Sequence, residues 1–279
     1  MRKNLHLGYS PCPNDTFIFF ALAEGRIDCA PYRFDVVPAD VEVLNQRARQ
    51  RVPDVTKVSM SAVPHLLDDY CLLRSGGALG RGCGPLVVAR ERLTLNDLRD
   101  KSIATPGELT TAHLLLQMAG FRRDQCVTMP FDCIMPAVAK GEVDAGVIIH
   151  EGRFTYPALG LHRVLDLGEW WEQETGLPLP LGGILIRRDL GAPTAQFIEG
   201  KIRESLDYAK RHPEDAWPYI KAHAREMADA VIREHIATFV NDFSIEVGEE
   251  GERAIRVLLE TAVKHQGLSV PEKPLFWNE

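Results

Sequence analysis

A rhythm in the sequence decides the fold class. From Leu5 to Arg187, short aliphatic and β-branched runs alternate with helix-patterned stretches of about 8–15 residues. The strand-like runs are Leu5–Ser10, Tyr32–Val37, Val55–Val58, Cys71–Arg74, Pro85–Ala89, Ser102–Thr105, Cys126–Met129, Val143–His150, His162–Leu167 and Gly183–Arg187. Between them lie helical patterns over Asp15–Glu24, Val41–Arg51, Ala62–Asp69, Ala112–Ala119 and Cys133–Lys140, several of them closed by a glycine. Such alternation predicts βαβ units, an α/β chain and largely parallel sheets. After residue 194 the pattern turns helical, over Thr194–Arg211, Glu214–His223, Asp229–Phe239 and Glu249–His265.

No low-complexity linker divides the 279 residues, so two α/β units would be joined by short strands such as Leu86–Ala89 and Ile184–Ile186. The expected division is a discontinuous lobe of residues 1–90 plus 186–279, and a second lobe of residues 91–185. A cleft between lobes, at the carboxyl ends of strands, is where such folds hold ligands.

Composition and motifs then exclude whole classes. The net charge of −7 argues against nucleic acid or an anionic membrane surface as partner. It leaves a small anionic molecule open, because N–H groups and hydroxyls bind anions whatever the net charge. No stretch reaches the ~18 apolar residues of a membrane span, and the N-terminal residues lack the apolar run of a secretory signal. A cytoplasmic protein is therefore expected. The six cysteines form no C-x-x-C pair and read as reduced, mostly buried thiols. The glycine-rich stretch Ser75–Gly84 has neither a G-x-G-x-x-G register nor G-K-[ST]. His150-Glu151 is followed by Phe154, so no H-E-x-x-H zinc motif exists, and there is no G-x-S-x-G elbow.

Three loops remain, each after a strand and before a helix: Ser10–Thr16, Thr56–Ser61 and Gly107–Thr111. In the first, two prolines stiffen the turn and Asn14, Asp15 or Thr16 is expected to cap the helix. The others bring hydroxyls to helix starts, where free N–H groups and the helix dipole attract anions. His150 ends an apolar strand at the ligand-binding edge. There a histidine can accept a proton near neutral pH, or cap the next helix. His65, His113, His212, His223, His235 and His265 sit in helical or turn contexts and read as packing or surface residues.

The segments SPCPNDTFIF (10–19), TKVS (56–59), RSGGALGRGCGPLVV (74–88), GVIIHEGRFTYP (146–157), GLPLPLGGIL (176–185) and NDFSIEVGEEGERA (241–254) together resemble the 1,4-dihydroxy-6-naphthoate synthase family of the futalosine route to menaquinone. The resemblance implies a two-lobed, periplasmic-binding-protein type II-like fold used as an enzyme. It implies a lyase that converts cyclic dehypoxanthine futalosine to 1,4-dihydroxy-6-naphthoate and dihydroxyacetone, without metal or organic cofactor. Carried over by motif, the base is His150, and the substrate-binding residues are Lys57, Val58, Ser59, Thr110 and Thr111, with Asn45 as a further cleft polar group. Two rivals share the architecture: the chorismate dehydratase of the same pathway, and a solute-binding protein for a small anion. Glu151 and Arg153 stay outside the catalytic set.

Overall fold

A computed structural model describes residues 3–225 and 228–279. The first sheet contains β1 (Lys3–Tyr9), β2 (Tyr32–Pro38), β3 (Val55–Ser59), β4 (Tyr70–Leu72) and β5 (Ala78–Gly80). The second contains β6 (Leu86–Ala89), β7 (Ile103–Thr105), β8 (Cys126–Thr128), β9 (Ala145–Ile148) and β10 (His162–Asp166). The chain then returns, and β11 (Leu179–Arg187) pairs with β3, β4 and β5 of the first sheet. The strand orders are β2-β1-β3-β11-β4, with β5 also on β11, and β10-β6-β9-β7-β8.

Both sheets are mixed rather than largely parallel. Parallel pairing holds where a helix crosses over, between β1 and its neighbours β2 and β3, and between β7 and its neighbours β8 and β9. β6 and β11 arrive from the other lobe instead of through a crossover helix, and both run antiparallel to their neighbours. This places both crossings earlier than the boundaries expected at 90/91 and 185/186. Leu86–Ala89 already belongs to the second sheet, and β11 rejoins the first from Leu179. The turn expected at Leu177–Leu181 is in part the start of that strand. Pro180 is tolerated there because the β11–β5 register shifts between Pro180 and Gly182.

The helices are α1 (Pro13–Ala23), α2 (Val41–Arg49), α3 (Thr111–Met118), α4 (Phe131–Lys140), α5 (Gly152–Thr155), α6 (Leu167–Thr175), α7 (Ala192–Arg211), α8 (Pro213–His223), α9 (Asp229–Phe239), α10 (Asp242–Ile245) and α11 (Gly248–Gln266). The helix expected over Ala62–Asp69 is instead a 3-10 segment, Met60–His65, with Pro64 inside it. α1 is apolar on nearly every face, the mark of a helix enclosed on all sides. It packs against α7, α8 and α9, so the C-terminal helices cover the start of the chain. That packing brings α9 to the N-terminus of α1 and creates half of the site.

Candidate active site

The loop Ser10–Thr16 ends β1 and starts α1. Cys12, not Asn14, Asp15 or Thr16, holds the N-cap position, and its side chain makes no capping bond. Pro13 at the first helical position needs no N–H partner. Asp15 is thereby released from capping and sits buried in the first turn, where the helix dipole favours a carboxylate. It accepts from the Ser10 backbone N–H (3.1 Å) and hydroxyl (2.8 Å), from Asn14 Nδ2 (2.9 Å) and from Lys57 Nζ (2.7 Å). The Lys57–Asp15 pair is almost wholly sequestered, at 5% and 2% side-chain exposure. Lys57 therefore lines the cleft with its ammonium already held.

Ser59 closes β3. Its backbone N–H donates to Asn45 Oδ1 (2.8 Å), and Asn45 Nδ2 donates back to Ser59 Oγ (3.1 Å) and to Glu42 Oε2 (3.1 Å). Asn45 thus stands behind Ser59 and fixes it. Val58 is a core residue on the β3–β11 ladder, opposite Gly183, and its side chain does not line the cleft.

At the opposite lobe, Thr110 caps α3. Its hydroxyl accepts from His113 N (3.2 Å) and donates to Gly107 O (2.6 Å). The Thr111 hydroxyl donates to Leu181 O (2.7 Å) and accepts from Ser61 N (3.3 Å). Both hydroxyls are occupied by the protein. What the helix start leaves for a ligand is the pair of N–H groups on Thr111 and Ala112, both residues of the cleft wall. Gly107, at φ +154°, lets this loop approach the other lobe. A Cβ there would stand 2.5 Å from Cγ of Glu42.

His150 follows β9 in the left-handed region, at φ +55°, an uncommon conformation for a non-glycine residue and one that aims its ring. Its Nδ1 lies 3.3 Å from Cys12 Sγ, across the cleft, and Phe131 meets the ring edge-on at 5.0 Å. Its Nε2 is buried with no hydrogen-bond partner. The Ser10 hydroxyl gives its proton to Asp15 and accepts from the Cys12 backbone N–H (3.4 Å). Burial, together with the charge of Glu151, raises the Cys12 thiol well above its ordinary range, so the proton stays on sulfur. The protonated thiol faces Nδ1 of His150, and Nε2 is the ring nitrogen without a partner. Arg153, one turn on, is tied to Gly84 O (2.7 Å) and to buried Asp166 (2.7 Å), so it anchors the segment rather than facing a ligand alone.

His235 is the residue that the sequence pattern places wrongly. It reads as one more helical histidine on α9, yet it lines the same cleft and its ring lies nearly parallel to that of His150, 6.4 Å away. Its Nε2 bonds Asn14 Oδ1 at 2.9 Å, and its Nδ1 is buried without a partner. Burial foremost, then the neighbouring His150 and Lys57, hold it well below the ordinary histidine pKa. Nothing in the spacing around REHIATF signals this, because the contact to Asn14 spans 221 positions.

His150, Lys57, Ser59, Thr110, Thr111, Asp15 and His235 thus meet around one cleft between the lobes, the usual place for a ligand in such a fold. Two mixed sheets, two chain crossings and an interlobe cleft define a two-lobed protein with the periplasmic-binding-protein fold. The periplasmic aliphatic sulphonate binding protein of Escherichia coli has that fold, at TM-score 0.66 and 13% identity over 96% of this chain and 89% of its own. A solved protein of Archaeoglobus fulgidus is nearer, at TM-score 0.88 and 36% identity over 95% of this chain and 98% of its own.

Sequence comparison places the chain more narrowly. It belongs to the menaquinone biosynthesis family, whose pattern it matches over residues 5–264. Its relatives include proteins named 1,4-dihydroxy-6-naphtoate synthase. The one from Thermus thermophilus is 52% identical over 276 residues, 98% of both chains. The one from Streptomyces coelicolor is 49% identical over 263 residues, 92% of both chains.

Proposed function

We propose that this enzyme carries out the 1,4-dihydroxy-6-naphthoate synthase reaction, with His150 as the base. The substrate, cyclic dehypoxanthine futalosine, bears a carboxylate and a C–H made acidic by an adjacent ketone. Removal of that proton starts an elimination and a retro-aldol-like carbon–carbon cleavage that releases dihydroxyacetone. Aromatisation of the new ring drives the sequence forward. The observation that carries the assignment is His150 Nε2, buried in the cleft wall with no partner of its own. A base placed so contributes typically ~10²–10⁴-fold.

The Thr111 and Ala112 N–H groups at the start of α3, with the Ser59 hydroxyl opposite, make the carboxylate and hydroxyl subsite in this reading. Lys57 lines the cleft while remaining paired with Asp15. Lobe closure would exclude water from the reactive intermediate. We also assign the enzyme to the cytoplasm. All six cysteines are free thiols, which suits a reducing compartment. Among the described residues, no helix is long and apolar enough to cross a membrane.

The test is direct turnover. Purified protein is mixed with cyclic dehypoxanthine futalosine, and 1,4-dihydroxy-6-naphthoate is followed by mass, with chorismate as the control substrate. Wild type is expected to make product from the first and leave the second unchanged. His150→Ala is expected to lose at least ~10²-fold in kcat. Full turnover by that variant removes His150 from its role, and dehydration of chorismate overturns the reading.

A further inference from the structure

The cleft wall contains two unpartnered imidazole nitrogens, one from each lobe, and the reaction proposed above uses one of them. Native interiors rarely leave buried polar atoms unbonded, so the second calls for an explanation. Its protonation follows from the groups around it. The Lys57 ammonium can only donate, and the Asp15 carboxylate only accepts. Asn14 turns its Nδ2 toward Asp15, so its Oδ1 faces His235. An amide oxygen accepts, so the proton of His235 sits on Nε2. A neutral ring then carries a lone pair on Nδ1, and burial beside Lys57 and His150 keeps the ring neutral. Phe154 and Phe239 flank it with apolar surface and offer Nδ1 no donor.

We infer that His235 is the second proton acceptor of the site, and that its Nδ1 receives a hydroxyl of the substrate during carbon–carbon cleavage. The inference rests on the reaction proposed above, because its retro-aldol step needs a proton removed from oxygen, beyond the one that the elimination takes from carbon. The O–H bond breaks, with its proton passing to Nδ1, and the oxygen lone pair closes a carbonyl. The carbon–carbon bond breaks, and its electron pair moves onto the carbon beside the ketone as an enolate. The proton on Nδ1, disfavoured between Lys57 and His150, then returns to that enolate. Atoms and charge balance without oxidant or cofactor. His150 stands at the end of β9 in one lobe and His235 on α9 in the other, so the two acceptors face each other across the cleft.

Two readouts on the whole enzyme test this. The first is kcat and KM for His235→Gln, whose amide N–H can still reach Asn14 but which has no basic nitrogen. The second is exchange of the acidic substrate C–H for deuterium in D2O, followed by mass. His235→Gln is expected to lose ~10²-fold in kcat, with KM within a few-fold of wild type, while exchange continues. His150→Ala is expected to lose both exchange and cleavage. Unchanged kcat in His235→Gln overturns the inference, as does a parallel fall of exchange and cleavage, which marks a structural role. His235→Asn carries the same comparison should the glutamine variant not fold. Absence of product from wild type removes the underlying reaction, an outcome distinct from loss in the variant alone.

Discussion

At the scale of single residues, burial of a neutral histidine ties the site to stability. The unfolded chain takes up a proton at His235 as pH falls through about 6.5, the ordinary value, whereas the folded ring, held well below that value, does not. The unfolded state then binds more protons, so stability is lost on acidification below about pH 6.5, by up to about 1.4 kcal/mol per pH unit for this one group. Urea unfolding at pH 7 and pH 5 should show a larger loss for wild type than for His235→Gln. Equal losses would place the acid sensitivity elsewhere, for example at buried His113, whose pKa is also lowered by burial. Lys57 gives a second test. Removing one member of a sequestered ion pair typically costs ~3–5 kcal/mol, so Lys57→Met is expected to unfold at much lower urea than wild type. A Lys57 variant of unchanged stability would mean that Asp15 finds another partner. These residues also mark the limit of sequence reading. The TKVS strand places Lys57 and Ser59 at a strand end, and the apolar run before His150 places that residue at another. The pairing of Lys57 with Asp15 and of His235 with Asn14 are contacts across 42 and 221 positions, and no local pattern encodes them.

At the scale of elements, what is legible follows from local physics. α9 stands out by periodicity because it buries one stripe, Ile232, His235 and Phe239, and β9 stands out as an apolar run buried at every position. α6 goes unread, since LGEWWEQET has no apolar stripe long enough to compete with the flanking strand pattern. Its start is fixed by Asp166, which accepts from the N–H groups of Gly168 and Glu169. The 3-10 segment after β3 is misread for the opposite reason: its residues are apolar enough for a helix, but Pro64 lies within it. The cap of α3 gives the prediction proper to this scale. Thr110→Ala removes the acceptor for His113 N and the bond to Gly107 O, and caps of this kind are worth typically ~1 kcal/mol. Thermal melting should therefore fall modestly, and Thr110→Ser should restore it. Loss of the cap also loosens the N–H groups of Thr111 and Ala112, so KM should rise in Thr110→Ala. A variant that melts lower with KM unchanged would remove this helix start from substrate binding.

For the molecule as a whole, the question is what the contacts across the cleft do. The lobes touch through Cys12 and His150, through the Thr111 hydroxyl and Leu181 O, through the salt bridge between Arg225 and Asp132, and through Glu42. Glu42 is the most telling of these. From α2 of the first lobe its side chain lies against the Gly107 loop of the second, and burial raises its pKa above the ordinary carboxylate value. Gly107 has no Cβ that would push that carboxylate away. Arg225 and Asp132 are each nearly half exposed, so their pair adds at most about 1 kcal/mol. The half-buried Glu42 side chain, seated against the facing loop, is the stronger candidate for holding the lobes. If Glu42 holds the lobes together, its removal shifts the population toward open forms, and binding must first restore closure. Glu42→Ala is therefore expected to raise KM about 10-fold or more, the equivalent of about 1.4 kcal/mol. Its kcat should stay near wild type, because chemistry follows closure. Small-angle scattering without substrate should show a larger radius of gyration for the variant, returning to the wild-type value at saturation. A fall in kcat with KM and radius unchanged would mean that Glu42 acts on the reacting atoms through Asn45 and Ser59, and not on the lobes.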